Sequence, residues 1–310
     1  MCDACTVPTD LPAGRPLTNN QRRALNALRP AAYFTNATYR RDPTRTAQLR
    51  ARYAKEMDRR FGRVGMLVQK TVVANDALRL NAKAAKVFEF TNDAERVGEF
   101  MDWLRGAIND EILEVAASDG RPPVNGWQKV YVREAYGRGL EAANALLKQS
   151  GIVLPTTAAG ADIPVGSLFR LPIHQNALEL LYTRQFEDLR GVTREMATQM
   201  SRVLTDGLAT GKANEPIAKL LVDRVDKIGI VRGRTIVRTE IIRVNAESTL
   251  NRLEEVGVEL VTPLVEFATA ADACPICKAL EGKVYTIAEA RGIIPAHANC
   301  RCVWLPVLRK

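Results

Sequence analysis

The sequence lacks any uninterrupted apolar run of the roughly 18 to 20 residues that a membrane-spanning helix requires. Its first residues also lack a basic segment followed by an apolar one, which is the pattern of an export signal. Apolar residues make up 46% and charged residues 25% of the 310 residues, as is typical of globular proteins. We therefore predict neither membrane insertion nor export, and we take cytoplasmic synthesis as the default.

Cysteine is absent from the 268 residues between Cys5 and Cys274. A disulfide-stabilised secreted domain spreads its cysteines through the fold, whereas clustered pairs in an intracellular chain more often bind metal. The first pair, Cys2 and Cys5, lies in a lead rich in Pro, Thr and Asp, where no further ligand is near in sequence. We expect these two to be free thiols, although a neighbouring subunit could add ligands.

Acidic residues are scarce between residues 20 and 70, where 13 Lys and Arg stand against 3 Asp and Glu. This net charge of 13 − 3 = +10 exceeds the formal charge of +9 for the whole chain. Such an uneven distribution favours an anionic polymer as partner, because Lys and Arg contacts to phosphates supply most non-specific affinity for nucleic acid. The alternative is an ordinary solvated helix face of a basic protein.

A long amphipathic helix is predicted from Pro43 onward, because apolar residues recur at spacings of three and four. The apolar stripe comprises Leu49, Tyr53, Met57, Phe61, Val64 and Val68. Most of the arginines between them fall on the other faces. The candidate contacts to double-stranded DNA, independent of base sequence, are Arg50, Arg52, Arg59, Arg60 and Arg63.

Further helical patterns occupy the middle of the chain, with apolar cores at residues 178–189, 196–208 and 217–228 and a longer helix at 232–256. Asn214 is the expected N-cap of the third, and Gly211 and Gly257 are expected helix ends. Short segments rich in β-branched residues at 260–268, 283–286 and 303–307 predict strands.

These patterns predict an α+β fold, with a predominantly helical body and a small C-terminal mixed α/β module. The stretch of residues 151–173 interrupts the helical periodicity with prolines and glycines. We therefore divide the chain into a flexible lead (1–19), a basic helical domain (20–150), a linker (151–173) and a last domain (174–310). The module occupies about residues 258–310 of that last domain.

The module contains the most informative motif, Cys274-Pro-Ile-Cys277 followed after nineteen residues by His297-Ala-Asn-Cys300-Arg-Cys302. A two-residue gap lets two thiolates reach one ion at about 2.3 Å, and a second pair from a distant turn completes a tetrahedron. Five residues compete for four positions. We predict a structural zinc ion, because a small module with short strands has little core of its own.

Other interpretations of the cluster stay open at this stage. The four cysteines could form two disulfides, or they could pack as small hydrophobic thiols around a hydrogen-bonded His297. A catalytic zinc site would need an open coordination position and a general base, and a thiol enzyme would need a positioned histidine. With two histidines in the whole chain, we predict no catalytic residues.

The order of motifs between residues 186 and 304 resembles the C-terminal domain of tailed-phage minor head proteins, the phage Mu protein F-like family. The resemblance rests on Arg238-Thr239-Glu240 within a helix, the cysteine pair with the following Leu280-Glu-Gly282, and the terminal H-x-N-C-R-C signature. Ala296 and Ala298 flank the histidine where the family often has prolines. We interpret Arg238, Thr239 and Glu240 as a structural motif.

This resemblance implies a structural protein of the virion that acts in head morphogenesis, DNA packaging or DNA ejection. The partners it implies are the portal protein, capsid proteins and packaged DNA, with several copies per particle in the capsid interior or at the portal vertex. The alternatives are a zinc-stabilised DNA-processing enzyme and a host DNA-binding regulator. Against them, no paired-histidine or Asp-rich nuclease signature and no helix-turn-helix or basic-zipper pattern is evident.

Overall fold

The apolar stripe of the arginine-rich segment is confirmed in the computed structural model, which describes residues 14–15, 42–78, 80, 90–115, 122–123, 125–149, 151–257 and 264–307. Helix α1 (Ala47–Gln69) carries all six stripe residues, and none of them is exposed to solvent. A π-helical turn (Lys70–Ala74) extends this helix. The predicted lead, with Cys2 and Cys5, lies outside the described residues except for residues 14 and 15.

Helices make up most of the described chain. They are α2 (Phe90–Ile108) with a π-helical end (Asn109–Leu113), α3 (Gln128–Gln149), α4 (Val165–Leu168), α5 (Pro172–Ala209), α6 (Asn214–Arg224), a π-helical stretch (Val225–Ile230) and α7 (Val231–Val256). Among the described helices, none combines the length and the apolar character that a membrane span would need. The helical body that the sequence predicts is confirmed.

Two local predictions in this region are wrong. The patterns at residues 178–189 and 196–208 belong to the single 38-residue helix α5. No proline separates the two patterns, and Gly191 alone does not end the helix. Asn214 is the first residue of α6 and not its N-cap, which is Ala213, and the Asn214 amide donates instead to Asp76 at 2.5 Å. The helix ends at Gly211 and Gly257 are confirmed, since both glycines have the left-handed backbone that ends helices.

The C-terminal module is built on a three-stranded antiparallel sheet of order β2-β1-β3. Its elements are β1 (Leu264–Ala268), α8 (Pro275–Leu280), β2 (Val284–Thr286), α9 (Ile287–Ala290) and β3 (Val303–Pro306). Trp304 lies edge-on between Phe267 and Tyr285, with ring centroids 5.6 and 5.7 Å apart. These rings form one face of the sheet and give the module its apolar centre.

The chain forms two compact units, each assembled from separate stretches of sequence. The first unit comprises residues 1–51, 127–182 and 237–310, and it contains α3 and the whole C-terminal module. Its core joins Leu147 of α3 and Leu250 of α7 to Phe267 and Trp304 of the sheet. The division at residues 151–173 stays a prediction.

The second unit comprises residues 52–126 and 183–236. Within it, α1 packs closely against Gly229, just before α7, and Gly233, in the first turn of α7. The close approach requires glycine at both positions. A Cβ atom at Gly229 would lie 2.4 Å from Phe61, and one at Gly233 would lie 2.8 Å from Met57. The helical body together with the small mixed sheet module confirms the α+β fold class.

Candidate metal centre

The first arm of the cluster is the start of helix α8. Cys274 is the N-cap residue, Pro275 occupies the first turn, and the Lys278 amide donates to the Cys274 carbonyl at 3.0 Å. Proline is favoured at this position because its fixed φ matches the helix and its missing N–H would have no helical partner. Cys277 follows within the same turn and is buried, whereas Cys274 is half-buried. One helical turn therefore presents both thiols.

The second arm is a tight turn that carries the remaining candidate ligands. The Cys300 amide donates to the His297 carbonyl at 3.1 Å, and Asn299 between them has φ +62°. His297 Nδ1 lies 2.7 Å from the carbonyl oxygen of Ala298, which assigns the ring proton to Nδ1. The unprotonated Nε2 is thereby left for a metal ion, as in many metal-bound histidines.

The two arms bring the five predicted ligands into two overlapping groups of three. His297 Nε2 lies 3.1 Å from Cys274 Sγ and 3.0 Å from Cys277 Sγ, and Cys277 Sγ lies 3.8 Å from Cys300 Sγ. Ligand atoms within 4.8 Å of one another form two groups, Cys274 with Cys277 and His297, and Cys277 with Cys300 and Cys302. Cys277 belongs to both groups and is the centre of the arrangement.

The separation of Cys277 and Cys300 matches metal ligation. Two thiolates bound tetrahedrally at about 2.3 Å from one zinc ion lie about 3.8 Å apart, whereas disulfide sulfurs are about 2.05 Å apart. All four cysteines of the module are free thiols. The donor set of thiols and one imidazole suits zinc, which prefers sulfur and nitrogen ligands.

The thiols also differ in acidity. The hydrogen bond to Cys300, with burial as a further contribution, raises the pKa of Cys277. The same contact lowers the pKa of Cys300, with burial acting in the opposite direction. A cation bound between them would favour the thiolate form of both residues.

The surroundings of the cluster are largely apolar. Cys277, Cys300 and Cys302 belong to the same apolar core as Phe267 and Trp304. These three buried thiols suit a closed coordination shell, whereas a catalytic zinc needs a position open to solvent or substrate. Nearby, Arg301 and Asp272 form an ion pair at 2.7 Å, so this carboxylate is engaged.

The motif Arg238-Thr239-Glu240 lies on helix α7. Glu240 is buried and pairs with Arg243, one helical turn further on, at 3.1 Å. The Thr239 hydroxyl accepts a hydrogen bond from the Asn299 amide at 3.4 Å. The structure therefore brings one member of this motif to the turn that carries His297 and Cys300, a contact that spacing in sequence could not reveal.

The arginines predicted to contact DNA are largely engaged by carboxylates. Arg50 pairs with Asp42 at 2.9 Å. Arg59 and Arg60 both pair with Glu56, at 2.5 and 2.8 Å. Their hydrogen bonds lower the pKa of Glu56 to about 2, with burial acting in the opposite direction.

Two of these arginines also reach across to the end of α2. Arg60 pairs with Glu114 at 2.8 Å, and Arg63 pairs with Glu111 at 2.5 Å. Arg52 lies exposed on α1. DNA contact by this helix stays a prediction, and phosphates would have to compete with these ion pairs.

A buried polar network was not predicted from the sequence. His174 is fully buried, with Nδ1 2.8 Å from the Tyr136 hydroxyl and Nε2 2.9 Å from a Glu255 oxygen. Asn251 donates to the same hydroxyl at 2.8 Å, and Arg252 pairs with Glu255 at 2.7 Å. The polar residues of α7 in this network recur at helical spacing, and this spacing was the one feature of the sequence that could have indicated the network.

The comparison with protein families agrees with the motifs. Residues 198–305 match the family described as phage Mu protein F like protein. The matched range ends within β3, so it includes every predicted ligand and the Arg238-Thr239-Glu240 motif. Searches of curated proteins and of solved structures found no match. The resemblance is therefore confirmed: residues 198–305 of this chain are similar to the phage Mu protein F like family, which supports a phage head-related structural protein.

Proposed function

We propose that this protein is a minor structural component of a tailed-phage head, associated with the portal and present in few copies per particle. The observation that carries the proposal is the family match over residues 198–305, which ends in the Cys/His module. The interleaved construction of the first unit suits a structural part, because distant stretches of chain share one core. In this role the protein acts in head morphogenesis and in DNA packaging or ejection.

The cluster contributes a structural zinc ion in this proposal. Cys274 and Cys277 from α8, with His297 and Cys300 from the turn, would hold the ion, and the Cys302 thiol would stand beside Cys300. Zinc supplies a rigid tetrahedral link and no redox chemistry. The residues themselves do the rest: α8 and the turn fix the ligands, and the apolar core buries Cys277 and Cys300. The link would join the two arms of a module whose strands have three to five residues.

Contact with packaged DNA is the further part of the proposal. Its support is the net charge of +10 between residues 20 and 70, part of which lies outside the described residues. A protein inside a filled head meets DNA of every sequence, so contacts to phosphate are sufficient for such a role. The exposed side of α1, with Arg52 and Arg59, is the described surface that would make them.

Quantitative mass spectrometry of purified phage particles tests the proposal. The expected result is that this protein co-purifies with full particles at a copy number far below that of the major capsid protein and comparable with that of the portal. The portal protein and an abundant host protein serve as internal standards for a true component and for contamination. Absence from the particle, or presence at host-contaminant level, would contradict the proposal.

A further inference from the structure

The Thr239 hydroxyl is a polar group of α7 that contacts the turn from His297 to Cys300, here called the ligand turn. Its oxygen accepts the Asn299 amide proton at 3.4 Å. Asn299 stands between His297 and Cys300, the two ligands that the second arm would contribute. The contact joins residues 60 positions apart in sequence, so it fixes the turn against an independent element.

The turn needs such support because of its own backbone. Asn299 has φ +62°, a left-handed conformation that costs a residue other than glycine about 1 kcal/mol, with Asn among the residues that tolerate it best. Its side-chain Oδ1 is buried and has no hydrogen-bond partner among the described residues. Besides the bond within the turn from the Cys300 amide to the His297 carbonyl, the hydrogen bond from the Asn299 amide to Thr239 supports this conformation, in which His297 Nε2 and Cys300 Sγ both lie near Cys277 Sγ.

A second anchor joins the module to α7 at a different place. Arg291 donates to Glu247 at 3.1 Å and to Asn251 at 2.8 Å, and the Gly292 amide donates to Glu247 at 3.0 Å. This anchor bonds to residues before the ligand turn and touches none of the five candidate ligands in these bonds. It provides a matched control for any effect that comes from holding the module on α7 in general.

We propose that Thr239 is a positioning residue of the metal centre, holding the turn from His297 to Cys300 in the geometry that ligation requires. The inference rests on the proposed zinc site and adds a role for one member of the Arg238-Thr239-Glu240 motif. Groups that orient metal ligands from outside the coordination shell typically change metal affinity by about 10- to 100-fold. Thr239→Val keeps the shape of the side chain and removes the acceptor, whereas Thr239→Ser keeps the hydroxyl.

Zinc affinity of the reduced full-length protein, measured by competition with a chromogenic chelator, tests this role. We expect Thr239→Val to bind the same number of zinc ions as the wild type with about 10- to 100-fold weaker affinity. Thr239→Ser should retain most of the affinity. Arg291→Gln should lower the unfolding temperature and leave the affinity of the folded protein near that of the wild type. The visible spectrum of the cobalt-loaded protein should change in Thr239→Val alone, since it reports the ligand geometry.

Wild-type affinity in Thr239→Val, or equal losses in the Val and Ser variants, would overturn the positioning role and leave the zinc site intact. An equal loss of affinity in Arg291→Gln would also overturn it, because general anchoring would then account for the effect. A wild-type protein that binds no zinc would contradict the metal centre itself.

Discussion

Cys277 and Cys300 lie with their Sγ atoms 3.8 Å apart, although a strand, a short helix and a tight turn separate them along the chain. This distance matches the edge of a tetrahedron of thiolates around a zinc ion and is too long for a disulfide. The pair joins the α8 arm to the ligand turn, and both thiols lie in the apolar core of the first unit. The proposed zinc link between the two arms of the module depends on this relationship.

Gly139 should tolerate no side chain, because α3 and α7 approach each other there. A Cβ atom at Gly139 would lie 2.5 Å from the carbonyl oxygen of Asn245 and 2.8 Å from Ser248. Since the nearest atom is backbone, the helices would have to separate, and we expect Gly139→Ala to destabilise the protein by about 1 to 3 kcal/mol. Urea denaturation followed by circular dichroism measures this change.

The matched control is Gly191→Ala in α5, where a Cβ atom would meet nothing within 4 Å. Alanine there should stabilise the protein by about 0.5 to 1 kcal/mol, because it restricts the unfolded chain and favours the helix. Unchanged stability of Gly139→Ala would mean that the close approach of α3 and α7 is not as described.

The buried network around His174 should behave as one energetic unit. Tyr136→Phe removes the hydroxyl that bonds to His174 Nδ1 and accepts a hydrogen bond from Asn251. Losing these two buried hydrogen bonds should destabilise the protein by about 1 to 3 kcal/mol. A double-mutant cycle of Tyr136→Phe with His174→Ala should show a coupling of about 0.5 to 3 kcal/mol. Additive effects would contradict a shared network.

The same tyrosine predicts a pH dependence. Burial raises the pKa of Tyr136 from 10.0 to about 12, although hydrogen bonding from Asn251 opposes the change. A group whose pKa is higher in the folded state stabilises the fold fully below its unfolded pKa and loses that contribution as the pH rises through its folded pKa. Wild-type stability should therefore fall more steeply between pH 10 and 12 than that of Tyr136→Phe, as measured by thermal unfolding.

The arginines of α1 should separate into two kinds. The Arg60 side chain is 11% exposed and pairs with Glu56 and Glu114, so Arg60→Gln should destabilise the protein by about 1 to 3 kcal/mol. The Arg59 side chain is 55% exposed, and its pair with Glu56 contributes at most about 1 kcal/mol. Thermal unfolding of the two variants measures the difference.

DNA binding by this surface has its own readout. Replacing Arg52 and Arg59 with Gln should weaken binding to double-stranded DNA of any sequence and lower the salt slope by about one for each lost phosphate contact. Titrations at several salt concentrations with an unrelated DNA sequence as control measure this. Unchanged affinity and slope would assign the exposed face of α1 to a protein partner.

Much of the local structure could be predicted from the sequence. The stripe from Leu49 to Val68 defined α1 because only one helical face can bury six apolar residues spaced in this way. The strands followed from β-branched segments between turn formers, and the predicted ligands did converge. These features depend on spacing within a short stretch, where the sequence is most informative.

Long-range relationships could not be predicted in the same way. The pairing of Thr239 with Asn299 and of Arg60 with Glu114 depends on how helices and turns meet, which single-sequence periodicity does not encode. His174 is fully buried within α5 and bonded on both ring nitrogens, which nothing in its local sequence indicates. The assembly of each unit from separate stretches of sequence could not be predicted either.

Metal content of the reduced, purified protein is the most direct test of the proposed staple. Native mass spectrometry should find about one zinc ion per chain, as expected for a closed site with four protein ligands. Cys277→Ser should lose the ion, because Cys277 belongs to both groups of candidate ligands. With Trp103 and Trp127 replaced by Phe, removal of zinc by a chelator should change the fluorescence of the buried Trp304 as the module unfolds. A metal-free protein with its four C-terminal cysteines in two disulfides, and a module unaffected by chelator, would contradict the account.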